Sequence, residues 1–201
     1  MDFASPKVPR RSSLKRNGEP ILNTGQTFRS FWQSGFQGHH PTQGDWQTHL
    51  NTLFPEVRLK KTIEIRGADA QGPAMACALP ALWTGIYYDA EALEQADVLT
   101  SDWRHDEVAA LRNQIWQKGI RSEFRGASLV KMAERVLEIA EGGLGRRGFK
   151  TPDGTKDERI HLKRLKELVG RAMSPAEALL EGLKGDATAE ILTRADLMPP
   201  R

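Results

Sequence analysis

The chain of 201 residues is short of several things, and each shortage excludes something. It has one cysteine, Cys77, which closes no disulfide within the chain and leaves a thiolate metal site without partners. Cys77 is expected as a small buried apolar residue. No apolar run is long enough to cross a membrane: the stretch from Gln71 up to Asp89 lacks charge, but prolines, glycine and two tyrosines interrupt it. No apolar signal segment is present, since "MDFASPKVPRRSSLKR" is polar and basic. A cytoplasmic location and no membrane partner are therefore expected. Neither sign of charge dominates, with 29 Lys and Arg against 26 Asp and Glu. Nucleic-acid binders concentrate positive charge more strongly, so no nucleic-acid partner is expected. The adjacent His39 and His40 lack further ligands at zinc-like spacing. "EGGLGRRG" lacks the preceding strand and the Lys-Ser/Thr ending of a phosphate loop.

What is present reads as α+β, with strands mainly in residues 14–69 and helices over 74–201. Residues 1–13 read as a flexible basic arm, broken by Pro6 and Pro9. Asn17-Gly18 marks a hairpin joining strands near Ser13–Arg16 and Pro20–Asn23. Phe28, Phe31 and Trp32 recur at helical spacing, with Gly35 as a stop. Thr42 and Asp45 form a capping-box pattern, ahead of Trp46, His49, Leu50 and Leu53 on one helical face. Further helices are predicted over about 74–88, after Asp102, over about 128–144, around Ile160–Leu168, and from Ser174-Pro175-Ala176-Glu177. The stretch "GGLGRRGFKTPDGTKDE" reads as a flexible link.

The segment "KKTIEIRGAD" carries the chemistry. Ile63 and Ile65 point one way, while Thr62, Glu64 and Arg66 point the other. One strand cannot satisfy its own backbone groups, so Thr62–Arg66 needs partners: the hairpin near Asn17, or strands of another segment or chain. An exposed ion pair is the plain reading of Glu64 and Arg66. The alternative is the polar floor of a cavity. There a carboxylate is a hard ligand for Mg²⁺ and a guanidinium is a fork for phosphate oxygens. One carboxylate does not make a Mg²⁺ site, so other ligands must come from elsewhere. Arg58 is a further candidate for anion contact. His49 reads as a packed helix-face residue, and Trp83, Tyr87 and Tyr88 as core aromatics.

Several ordered segments resemble the plant-type glutamate–cysteine ligase family, which also has bacterial members. They are "DWQTHLNTLFPEVRLKKTIEIRGAD" (Asp45–Asp69), "CALPALWTGIYYD" (Cys77–Asp89), "FRG" (Phe124–Gly126), "GLGRRGF" (Gly143–Phe149) and "SPAEALLE" (Ser174–Glu181). The resemblance implies ATP-dependent joining of the glutamate γ-carboxylate to the cysteine amine through a γ-glutamyl phosphate, the first step of glutathione biosynthesis. It implies a glutamine-synthetase-like core, a curved antiparallel sheet whose polar face holds glutamate, ATP and Mg²⁺. By analogy Glu64 ligates Mg²⁺ and Arg66 contacts the transferring phosphate; Arg58, read from its alternation with Val57 and Leu59, is the further candidate for contact with the cofactor's phosphates. His49 and Tyr87 are second-tier candidates, Tyr87 for the cysteine pocket. Family members are about twice this length. The chain then reads as the C-terminal portion, completed by an N-terminal half or a homodimer partner. Thr62 stands where the family usually has an aromatic residue. The alternative reading is a non-catalytic interaction or regulatory module, or a decayed fragment. The helices are expected to cover the Ile63/Ile65 face.

Overall fold

The computed structural model describes residues 12–16, 19–23, 25–52, 55–59, 61–69, 71–154, 156–184 and 187–195. The basic arm up to residue 11, the Asn17-Gly18 turn and Leu53 lie outside the described residues. The chain divides into two compact units, Met1–Ala68 and Asp69–Arg201.

In the first unit, β1 (Ser12–Arg16) pairs antiparallel with β2 (Glu19–Asn23), Ser12 opposite Asn23 and Arg16 opposite Glu19. Helix α1 (Phe28–Ser34) starts where the Thr27 hydroxyl accepts the Ser30 N–H at 3.1 Å. It stops at Gly35, whose φ of 67° favours glycine. Helix α2 (Gln43–Thr52) opens on the reciprocal Thr42–Asp45 bonds that the capping-box pattern predicts. Phe28 and Phe31 form a small core.

Strand β3 (Val57–Leu59) then pairs antiparallel with β4 (Ile63–Ile65). Of the two expected sources of a partner for "TIEIR", the structure uses another segment, the one just before it, and not the hairpin near Asn17. The regular strand is also shorter than Thr62–Arg66. The alternation Glu56-Val57-Arg58-Leu59 matches that of β4, so the two segments zip locally. Leu59 and Ile63 remain 79% and 57% exposed, which corrects the expectation of a covered Ile63 face.

Among its described residues the second unit is helical, with a small ladder of β5 (Glu123–Phe124) and β6 (Ala127–Ser128). Its helices are α3 (Pro73–Tyr87), α4 (Ala90–Thr100), α5 (His105–Lys118), α6 (Leu129–Arg147), α7 (Lys163–Gly170), α8 (Pro175–Leu180) and α9 (Ala187–Ala195). Among the described residues no helix is long and apolar enough to cross a membrane.

Packing of α3 on α6 organises this core. Ala81 and Ile86 of α3 meet Leu137, Ala140 and Leu144 of α6, joined by Ala92, Leu162 and Val169. The helices cross at Gly85 and Gly143. A Cβ on Gly85 would lie 2.9 Å from the Ala140 carbonyl carbon, and one on Gly143 would overlap the Gly85 carbonyl oxygen. That crossing explains a second correction. The glycines of "GGLGRRG" were expected in a flexible link, yet Gly142, Gly143 and Gly145 are helical and α6 continues to Arg147. Gly143 is there because the helix backbones touch. Cys77 is exposed rather than buried, because the buried face of α3 runs through Ala78, Ala81, Gly85 and Ile86 beside it. Tyr87 and Tyr88 are 40% and 73% exposed rather than core, since they stand where α3 ends.

Candidate functional site

The polar face of the β3–β4 hairpin gathers three of the predicted residues. Register places Arg58 directly opposite Glu64, with Arg66 two residues along from Glu64 on the same face. The Arg58 Nε donates to Glu64 Oε2 at 2.8 Å, and its Nη2 stands 2.6 Å from the same oxygen. The Arg66 Nη1 donates to Glu64 Oε1 at 2.8 Å. Each carboxylate oxygen thus holds a different guanidinium. The Arg66 N–H donates to the Glu56 carbonyl at 2.7 Å, which extends the ladder and fixes where Arg66 departs from the backbone.

The electrostatics follow from these bonds. The Arg58 hydrogen bond, with the charges of both guanidiniums behind it, holds the Glu64 carboxyl below its ordinary range, although partial desolvation opposes the shift. Side-chain exposure is 18% for Arg58, 26% for Arg66 and 41% for Glu64. The cations are therefore partly shielded and the carboxylate stays reachable from solvent. Two guanidinium forks thus converge on one carboxylate, and such forks suit an anion with several oxygens.

As a Mg²⁺ site the cluster is incomplete. Glu64 is a hard oxygen donor within reach of a hydrated ion, but it is one carboxylate and both its oxygens are engaged. Among the described residues no three His, Cys, Asp or Glu side chains gather to hold a metal ion. Glu64 has the donor chemistry of one ligand among several, and the described residues gather no whole site.

The other two predicted residues lie elsewhere. His49 is 5% exposed and stacks on Phe28 at 4.5 Å, with Trp46 at 5.7 Å. Burial lowers its pKa, favouring the neutral ring. It is a packed residue of the α1–α2 core. Tyr87 belongs to the second unit, where its ring stacks on Trp83 at 5.5 Å.

Several charged clusters of the second unit were not anticipated. The Arg146 Nη2 donates to Asp89 Oδ1 at 2.7 Å, tying α6 to the start of α4. The Arg147 guanidinium lies over the Tyr88 and Phe149 rings, at 5.5 and 4.8 Å. Arg125, at φ 52°, reaches Asp102 at 2.7 Å and Glu107 at 2.6 Å. Periodicity carries no sign of the Arg125 and Arg146 ion pairs, because their partners are 18 to 57 residues apart.

Comparison with known proteins places these segments. The model of "Glutamate-cysteine ligase family 2 (GCS2)" matches residues 10–194. Chloroplastic glutamate–cysteine ligases are similar: that of Brassica juncea is 42% identical over 174 residues, 85% of this chain and 32% of the relative. That of Medicago truncatula is 44% identical over 161 residues, 79% of this chain and 30% of the relative. That of Arabidopsis thaliana is 42% identical over 182 residues, 89% of this chain and 33% of the relative. The chain spans about a third of the length of the curated relatives it matches, less than the half expected. The relatives' chloroplastic names overturn the expected cytoplasmic location. That expectation rested on the lack of an apolar signal, which does not separate cytoplasm from plastid because plastid-directing segments are themselves polar and basic.

Proposed function

The chain belongs to glutamate–cysteine ligase family 2, and from that membership we propose that it supplies the C-terminal part of the active site of an ATP-dependent glutamate–cysteine ligase. The small-molecule substrates are glutamate, cysteine and ATP. The glutamate γ-carboxylate takes a phosphoryl group from ATP, and the cysteine amine displaces phosphate from the γ-glutamyl phosphate, the first step of glutathione biosynthesis. One observation carries the reading: Arg58, Glu64 and Arg66 converge on a single hairpin face within the family-matched region.

In this reading Arg66 contacts the transferring phosphate and Arg58 a neighbouring phosphate oxygen. Both rise from strands, which hold a guanidinium's direction better than a loop does. Such positioned cations stabilise the charge spread over the transferring group. Glu64 gives one carboxylate to Mg²⁺, which neutralises phosphate charge when bound. The remaining metal ligands and most glutamate contacts come from a complementary N-terminal portion or from a second copy of the chain. Tyr87 is retained as a candidate for the wall of the cysteine pocket, and His49 as a support for the first unit.

The test is ADP release and γ-glutamylcysteine formation by the chain with glutamate, cysteine, ATP and Mg²⁺, with and without the complementary portion. Product is expected from the complete assembly. Arg66→Lys should lower it by about 10²-fold or more, because the charge stays and the fork geometry goes. A complete assembly that forms no product, or an Arg66→Lys variant with full turnover, would overturn the reading. A second reading, a non-catalytic interaction module, is favoured by the exposed Leu59 and Ile63; it gains if the chain binds the complementary portion and product never forms.

A further inference from the structure

We propose that Glu64 is a latch, one that makes capture of a polyphosphate by Arg58 and Arg66 conditional on a divalent cation. The proposal rests on the phosphate-site reading given above and adds to it how the site is regulated. A guanidinium grips a phosphate best by presenting two N–H groups along one edge. The Nε–Nη2 edge of Arg58 is turned onto Glu64 Oε2, at 2.8 and 2.6 Å. Arg66 spends its Nη1 on Oε1 of the same carboxylate. One anionic side chain thus occupies the phosphate-gripping edge of Arg58 and a donor of Arg66.

A metal-free polyphosphate arriving at this face competes with that carboxylate for the guanidiniums and meets its negative charge as well. A lone divalent cation fares no better, since both oxygens of the carboxylate it needs are held by guanidiniums. Together the two ions resolve the conflict. The carboxylate turns to the cation, both guanidiniums turn to phosphate oxygens, and every charge keeps an opposite partner. Glu64 is exposed enough for this exchange, and its cross-strand register opposite Arg58 needs no backbone change. Metal and polyphosphate binding are then coupled, each raising the affinity for the other.

The test titrates inorganic tripolyphosphate into the full chain by calorimetry, once in excess EDTA and once in excess Mg²⁺. The wild-type chain is expected to bind about tenfold more tightly in Mg²⁺ than in EDTA, the order set by exchange of a charge-assisted hydrogen bond. Glu64→Gln should bind more tightly than wild type in EDTA and gain little from Mg²⁺. Glu64→Asp keeps the charge on a shorter arm and should fall between them. Slow amide exchange at Arg66, reporting its bond to the Glu56 carbonyl, checks that each hairpin is intact. If Glu64→Gln keeps the wild-type ratio between the two conditions, or binds more weakly than wild type in EDTA, the latch fails while the phosphate site stands. If neither protein binds in either condition, the phosphate-site reading fails and the latch with it.

Discussion

Gly142 and Gly143 are adjacent in α6, and alanine at each should have opposite effects. A Cβ on Gly142 meets the flexible end of Arg146 at 3.5 Å, ordinary contact. Gly142→Ala therefore keeps the usual gain from replacing a helical glycine, up to about 1 kcal/mol. A Cβ on Gly143 would overlap the Gly85 carbonyl oxygen, lie 2.9 Å from its carbonyl carbon and press on the Ala92 Cβ at 3.0 Å. Relief requires α3 and α6 to part by roughly 1 Å, which forfeits much of the close contact along their seam. Overpacking of this kind costs about 1–3 kcal/mol or more, and because the obstacle is backbone no rotamer can yield. Set against the same helical gain, Gly143→Ala should lose about 2 kcal/mol, so the neighbouring variants should differ by about 3 kcal/mol. That is a large share of the ~5–15 kcal/mol that holds a domain folded. Urea unfolding followed by helical circular dichroism measures it. If Gly143→Ala unfolds at or above the urea midpoint of Gly142→Ala, the close crossing of α3 and α6 is wrong.

Leu144 is fully buried in the same seam, so Leu144→Ala should cost about 2–5 kcal/mol in the same urea assay. Glu177 accepts the Ser174 N–H at the start of α8 and pairs with Arg121, and these partners hold its carboxyl down to about 2. A lowered carboxylate contributes stability above its ordinary range and loses it as pH falls from about 4.5 toward about 2. Wild type should therefore exceed Glu177→Gln in melting temperature near neutrality, with the gap closing across that window; a constant gap would refute the assignment. Ser174→Ala removes the N-cap acceptor of α8 and should cost about 1 kcal/mol by thermal melting. Arg125→Ala should speed amide exchange in β5 and β6, because it cuts the ties to Asp102 and Glu107 that hold their turn. Exchange as slow as wild type would mean those ion pairs are idle.

The sequence was most informative where structure is local. The Thr42–Asp45 and Ser174–Glu177 caps, the start of α3 at Pro73 and the α6 stripe from Val130 to Leu144 are all set within a few residues. That Glu64 and Arg66 share a strand face was legible from alternation, while the roles the resemblance implies for them remain proposals. Strand β3 was harder to see, because Glu56–Leu59 is too short to stand out until paired. Helix α4, whose apolar pattern is weak, was missed; it is held by its Asp89 cap and by Arg146 from 57 residues away. The helical glycines of α6 misled for the same reason: glycine usually signals a bend, and only the presence of α3 turns it into a demand for space. What went unread depends on neighbours distant in the chain, which spacing alone does not encode.

The Gly85–Gly143 contact has a mechanical consequence. With main chain seated on main chain there is no side-chain slack to absorb sliding, so α3 and α6 behave as a single stiff yoke. Tyr87 and Tyr88 sit at one end of that yoke, Tyr87 stacked on Trp83 of α3 and Tyr88 under Arg147 at the end of α6. The aim of those rings is therefore fixed by a girder of 19 residues, not by the short bend that follows them. Loosening the joint anywhere along its length should make both tyrosines wander.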